Sequence, residues 1–227
     1  MAEGQDPLTR RPLRTPRAAS IAGIIFAVLY GAAQVLIRIS IPADQTAQSA
    51  AWLKTNARAV SLALNLVPYA GIAFLWFIGV IRDRLGVLED RFFSTVFLGS
   101  GLLFLALTFV GAALAGGLLS SYEAGARTLV ESGVYTYGRA VMYHVINIYA
   151  IRMAGVFMIS LATIWIRTGI MRRTWGFLTY ALALVLMLSV GQSLWVAFIF
   201  PGWVLAISIY FLVLGLRNQP QEVPGEI

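Results

Sequence analysis

Residues 92–119 form an unbroken run without a charged side chain, and this run limits the fold more than any other feature of the sequence. A helix needs about 20 apolar residues to cross the ~30 Å hydrocarbon core of a bilayer, and the run has 28. In hydrocarbon, every backbone N–H and C=O group must find its partner within the protein, which an α-helix achieves within one segment. The run therefore predicts a membrane-crossing helix.

The composition of the whole chain agrees with this prediction. Of 227 residues, 59% are hydrophobic and 12% are charged, and the mean hydropathy is +0.79, whereas a soluble domain has about 25% charged residues. The chain has no cysteine and one histidine, which excludes disulfides, thiolate nucleophiles, cysteine-bound metals and a bis-histidine haem. We therefore predict an integral membrane protein without a metal or cofactor.

The apolar runs predict an all-α fold, in which one domain forms a polytopic bundle of six transmembrane helices. The first run is too long for the ~7–15-residue core of a cleaved signal peptide, so we interpret it as a retained span. Polar, proline-containing residues 1–17 and 217–227 are predicted to be disordered tails around the transmembrane domain 18–216. The predicted spans are residues 18–41, 59–81, 92–119, 140–166, 174–191 and 194–216.

The distribution of basic residues predicts the orientation of the bundle. With six spans, the two tails and the loops 82–91 and 167–173 share one side and contain eleven Lys and Arg residues, whereas the opposite loops contain four. Positive residues accumulate in cytoplasmic loops, which predicts that both termini are cytoplasmic. The net charge of +7 is explained in this way, and we predict no nucleic-acid partner.

A cation lies in the middle of the predicted fourth span. Arg152 is one of 27 residues between Arg139 and Arg167, which places it near the centre of the bilayer, where a charge costs at least ~2.5–3.5 kcal/mol and marks a functional site by default. Other polar residues of the spans map to the outer half. These candidate ligand-binding residues are Gln34, Arg38, Asn65, Tyr69, His144, Asn147 and Gln192.

The predicted spans contain no Asp or Glu, so Arg152 lacks a carboxylate partner within them. It must use neutral groups, water or a bound anion. A polar pocket open to the outside with Arg152 as its floor fits an anionic or amphipathic guest, whereas the alternative is a structural clamp on backbone carbonyls near Pro68 or Pro201. Arg38 lies about one turn from Pro42 and can instead extend to the outer interface.

The C-terminal half contains an Arg-Met pair in the predicted fourth helix and a turn of R-T-G and R-W type leading into the predicted fifth. The positions of these features are Arg152, Met153, Arg167, Thr168, Gly169, Arg173 and Trp175. In them the chain resembles a family of bacterial inner-membrane proteins with six spans and no assigned activity. The resemblance implies the six-span architecture and a bacterial plasma membrane, and it implies no reaction.

Three functions are consistent with the sequence. The favoured one is a non-enzymatic protein that binds or passes a lipid headgroup, a carboxylate or a quinone-like molecule in the outward-facing pocket. The second is a structural or accessory subunit that packs small-residue helix faces on partner helices. The third, a lipid-modifying enzyme, would need Glu123 or Glu131 to reach the pocket. Membrane lipids are expected partners in each case, together with a second copy or another membrane subunit.

Overall fold

The computed structural model describes residues 16–41, 51–85, 91–169, 171–189 and 194–217, and the described chain is almost entirely helical and contains no β-strand. A π-helical segment, Val145–Ala150, joins α4 to α5, and a 3₁₀ turn, Leu194–Phe198, leads into α7. The all-α prediction is therefore confirmed for these residues. The helices are α1 (Pro16–Ser40), α2 (Ala51–Leu85), α3 (Arg91–Glu131), α4 (Val134–His144), α5 (Ile151–Thr168), α6 (Arg173–Leu188) and α7 (Ile199–Arg217).

Five helical segments are long and apolar enough to cross a membrane, which supports a multi-pass membrane protein. They are Ala18–Ser40, Asn56–Arg82, Phe92–Gly125, Val134–Thr168 and Trp195–Leu214. The predicted fifth span corresponds to the shorter apolar helix α6, whose 16 residues measure about 24 Å. The number of six crossings therefore remains a prediction, and the predicted tails lie largely outside the described residues.

Several helices extend beyond their predicted spans. Helix α3 continues through the predicted loop to Glu131 and has a kink at Gly125. Pro16 is the first residue of α1, where its fixed φ angle suits a helix and its missing N–H costs nothing. Pro201, which lies within the predicted last span, is the third residue of α7, and proline is tolerated in a first helical turn.

Helices α1 and α2 pack antiparallel along their lengths. A Cβ atom on Gly23 would meet Phe77, and the ring of Phe26 contacts that of Phe74 at 4.7 Å between centroids. Each residue further along α1 is thus level with the residue one position earlier in α2. This register fixes the depth of α2 residues relative to α1.

An aromatic core fills the centre of the bundle. Its five rings come from five different helices: Phe26 of α1, Phe74 of α2, Phe104 of α3, Phe157 of α5 and Phe200 of α7. Each of these side chains is at most 2% exposed. Most of the ring pairs meet edge-on or tilted, which the aromatic quadrupole favours over face-to-face contact. Helix α6 contributes no ring to this core and lies outside the group of five helices that form it.

Helix α6 packs on the outside of α5 and also contacts α7. The backbone of α5 at Gly155 approaches Met187 of α6, and Gly176 of α6 receives Ile166 of α5. The Trp203 indole N–H of α7 donates to the Thr179 hydroxyl of α6 over 3.0 Å. Small residues at these positions allow the close helix packing typical of membrane bundles.

Candidate functional site

Arg38, near the end of α1, is directed into the protein and makes contacts with two other elements. One of its terminal guanidinium nitrogens donates to Oδ1 of Asn147, in the π-helical segment, over 3.0 Å. Its guanidinium carbon also lies 5.0 Å from the centre of the Phe198 ring, before α7, within range of a cation–π interaction. Arg38 is half-buried, and these two contacts hold its guanidinium against the protein.

Tyr143 completes this group of contacts. Its hydroxyl donates to the backbone carbonyl of Ile41, just after the end of α1. The Asn147 amide nitrogen donates to the Tyr143 carbonyl over 3.1 Å, which orients the amide oxygen towards Arg38. We call Arg38, Ile41, Tyr143, Asn147 and Phe198 the Arg38 cluster. It ties the end of α1 to the end of α4 and to the π-helical segment.

The Asn147 side chain belongs to a backbone segment with π-helical hydrogen bonds. In a π turn, the N–H of one residue bonds the C=O five residues before it, and such turns are frequent at functional sites. The neighbouring Ile146 is buried and occupies the space above Gly111 of α3, where an added Cβ would overlap the Ile146 side chain. The sequence contains no Pro or Gly within Val145–Ala150 that would signal this turn.

Gln34 lies about one turn deeper than Arg38 and makes a separate buried pair. Its side-chain nitrogen donates to the Tyr30 hydroxyl over 2.6 Å. Next to the pair is a cavity of about 10 Å³ that Thr108 of α3 and Ile146 also line. This volume is close to the minimum that holds one water molecule, about 10–15 Å³. Gln34 therefore lies beside a small internal cavity at the level just below the Arg38 cluster.

Arg152 is half-buried in α5, and among the described residues it has no hydrogen bond and no ion pair. It lies one turn before Gly155, which contacts Met187 and the Ala183 carbonyl of α6. Since α5 and α6 are antiparallel, Arg152 is level with the end of α6 at Leu188. Helix C-termini have carbonyls without helical partners and favour a nearby cation. Asn147 is part of the π-helical segment, and Arg152 follows that segment. Because a π-helix has more residues per turn than an α-helix, the angle between the two residues is smaller than the angle of about 140° that α-helical spacing predicts.

The remaining predicted site residues do not join the Arg38 cluster through any side-chain contact of the described residues. His144 is exposed, and its Nδ1 atom lies 2.8 Å from the Ala140 carbonyl of its own helix. Asn65 is also exposed and donates to the Ser61 carbonyl. Tyr69 is 64% exposed and lines a groove elsewhere on α2. Gln192 lies outside the described residues.

The loop acids considered for an enzymatic role lie in the C-terminal extension of α3. Glu123 and Glu131 are both exposed. No group of three or more His, Asp or Glu side chains within the described ranges is arranged to hold a metal ion. The arrangement that remains is a guanidinium held by neutral groups, which can bind an anion.

Comparisons with known proteins add no assignment to this geometry. No protein-family model matches the chain, and no similar curated protein or solved structure was found.

Proposed function

We propose that this membrane protein binds a small anionic or amphipathic molecule, such as a lipid headgroup, a carboxylate or a quinone-like compound, at the Arg38 cluster. The observation that carries the proposal is the half-buried guanidinium of Arg38, whose partners Asn147 and Phe198 are both uncharged. A guanidinium has five N–H donors in a planar fork that matches carboxylate and phosphate. A charge-assisted bond to an anion is roughly twice as strong as a neutral one, so this site favours an anion.

Arg152 is the second contact in this proposal, on the deeper side of Asn147. Both cations then act on one guest in a pocket that opens towards the end of α1. Binding is favoured over passage, because the aromatic core occupies the centre of the bundle. Movement of a guest through the centre would require several of these tightly packed rings to separate.

The proposal includes the orientation and location of the protein. We propose six crossings with α6 as the fifth, both termini in the cytoplasm, and the Arg38 cluster on the outer side. The excess of basic residues on the side of the termini supports this orientation. The resemblance of the C-terminal half to bacterial inner-membrane proteins supports a bacterial plasma membrane.

The test compares the small molecules that remain bound to purified wild type and to Arg38→Gln. Native mass spectrometry and analysis of the extracted molecules should show an anionic species in the wild type that falls about tenfold or more in the variant. Hydrogen bonds to charged groups contribute about 1.5–3 kcal/mol, and 1.4 kcal/mol corresponds to tenfold. Arg152→Gln should weaken the same species, whereas Arg58→Gln, an exposed arginine in α2, should not.

Asp44 provides a control for a counter-ion supplied by the chain itself. It lies in residues 42–50, outside the described ranges, only a few positions after Arg38. Asp44→Asn should leave the bound species unchanged or increase it. An unchanged set of bound molecules in Arg38→Gln and Arg152→Gln, with normal folding of both variants, would refute the ligand function and favour an accessory subunit.

A further inference from the structure

Three polar side chains lie on the outer surface of α2, on the side that faces away from the bundle. Ser61, Asn65 and Tyr69 follow one another at intervals of four residues, so they share one face of the helix. All three are exposed, and the Tyr69 ring also lines the groove between α1 and α2. The buried rings of Phe74 and Phe77, which pack against α1, lie on the other side of α2. We call Ser61, Asn65 and Tyr69 the polar face of α2.

The polar face extends deep into the hydrocarbon core of the bilayer. Tyr69 is the central residue of the apolar segment Asn56–Arg82, and the antiparallel register places it level with Gly31 of α1. Asn65 is one turn away, about 6 Å from that centre. Since half of the hydrocarbon core measures about 15 Å, roughly 9 Å of hydrocarbon separates Asn65 from the nearer boundary. This distance exceeds the reach of its short side chain, so neither residue contacts water at the membrane surface.

Hydrogen-bonding groups of the polar face have no partner among the described residues. The Asn65 amide nitrogen donates to the Ser61 carbonyl over 2.9 Å, and its amide oxygen remains as a free acceptor. The Tyr69 hydroxyl makes no hydrogen bond to a described residue. Pro68 lies between them and has no N–H, so the Leu64 carbonyl lacks its usual helical donor. Acyl chains cannot bond these groups, and leaving them unpaired in hydrocarbon is costly.

The free donor and the free acceptor are arranged so that two copies of the face complement each other. Side chains of an α-helix lean towards its N-terminus, so the Tyr69 hydroxyl is directed back towards the level of Asn65. A two-fold axis along the membrane normal brings the same depth of two α2 helices together. The Tyr69 hydroxyl of each copy then donates to the Asn65 oxygen of the other copy. This arrangement gives two equivalent hydrogen bonds.

From this complementarity we infer that the polar face of α2 is the interface of a homodimer, in which two α2 helices pack in parallel about a two-fold axis. The small side chain of Ser61 allows the backbones to approach closely, as at other helix interfaces in membranes. A helix of another protein would need a matching donor and acceptor at the same two depths, whereas a second copy supplies both. The inference does not depend on ligand binding at the Arg38 cluster.

The experiment measures the association of differently labelled full-length chains in liposomes by Förster transfer, over a series of protein-to-lipid ratios. The wild type should dimerise. Tyr69→Phe and Asn65→Leu should each raise the dissociation constant about tenfold, since each removes both symmetric bonds. The double variant should resemble either single variant, because the two substitutions remove the same pair of bonds.

Tyr149→Phe is the matched control for the loss of a hydroxyl. Tyr149 is 55% exposed and lies near the middle of the segment Val134–Thr168, so its depth is similar to that of Tyr69. The substitution should leave the dissociation constant unchanged. A wild type that remains monomeric at every ratio would overturn the inference, and so would a dimer that neither Tyr69→Phe nor Asn65→Leu weakens.

A second measurement uses the absence of cysteine from the sequence. Ser61→Cys should give a disulfide-linked dimer on oxidation, because the two-fold axis brings the two Ser61 positions together. Ser120→Cys places the same thiol at an exposed position of α3. The contact between Gly116 and Leu64 makes Ser120 level with Ser61, yet it should remain largely monomeric. Equal or stronger cross-linking through Ser120→Cys would refute the interface at α2.

Discussion

At the scale of single residues, the position of Arg38 illustrates how neutral groups hold a charge inside a membrane protein, since its partners among the described residues include no carboxylate. The Asn147 oxygen and the Phe198 ring provide neutral electron density on two sides of the guanidinium. Neither partner compensates the full charge, so the interaction with an added anion remains favourable. The same residue thereby links three elements of the bundle.

The bond from Tyr143 to the Ile41 carbonyl gives the first stability prediction. Tyr143→Phe removes the donor and leaves a carbonyl without this partner, and we expect a loss of about 0.5–1.5 kcal/mol. Tyr137→Phe, at a 74% exposed position of the same helix α4, should change stability by less than about 0.5 kcal/mol. Thermal unfolding in detergent measures both variants, and equal effects would contradict a stabilising role of the bond.

At the scale of elements, the sequence was sufficient to predict the long apolar helices but not their interruption at Val145–Ala150. Apolar length depends only on composition, so the helical runs can be read directly. The π-helical segment places Ile146 against Gly111, a contact between residues far apart in the sequence that no local pattern reveals. The angle that α-helical spacing predicts between Asn147 and Arg152 is therefore only approximate.

The candidate site was predictable to a similar extent. The sequence identified Arg38 and Asn147 among the polar residues of the outer half, because each lies in an apolar run. It gave no reason to pair them, and it assigned Tyr69 to the same region although Tyr69 lines the groove between α1 and α2. Phe198 and Tyr143 were not identified, since aromatic residues are frequent throughout such helices and carry no polar signal.

Gly111 and Gly117 form a matched pair that tests the support of the π-helical segment. Gly111→Ala would place a Cβ against Ile146, with its Cδ1 atom at 2.7 Å, and overpacking of this kind costs about 1–3 kcal/mol. Gly117→Ala meets no atom within 4 Å and should gain up to about 1 kcal/mol of helix propensity. We expect lower thermal stability for Gly111→Ala and equal or higher stability for Gly117→Ala. A destabilised Gly117→Ala with an unaffected Gly111→Ala would contradict this packing.

At the scale of the whole molecule, the aromatic core joins five helices at one level. In lipid, the hydrophobic effect does not drive helices together, so packing of these rings is a principal source of attraction.

Phe74→Ala tests the contribution of this core. Phe74 contacts all four of the other rings, and its removal leaves a cavity that its neighbours cannot fill without moving. We expect a loss below the ~3–5 kcal/mol that Phe→Ala costs in a water-soluble core, because lipid replaces water as the alternative environment. Phe177→Ala, at a 63% exposed position of α6, is the control in the same unfolding assay and should have little effect.

At Val145–Ala150 the long helix α4–α5 is wound as a π-helix and not as an α-helix. If Val145–Ala150 were wound as an α-helix, α4 would rotate by about 100° and shift by about 1.5 Å relative to α5. The rotation would withdraw Tyr143 from Ile41 and Ile146 from Gly111. A molecule that separates Arg38 from Asn147 would favour the same rotation of α4. The exposed residues of α4 would then move with the helix. If the proposed anion displaces Asn147 from Arg38, its binding and the rotational position of α4 become linked.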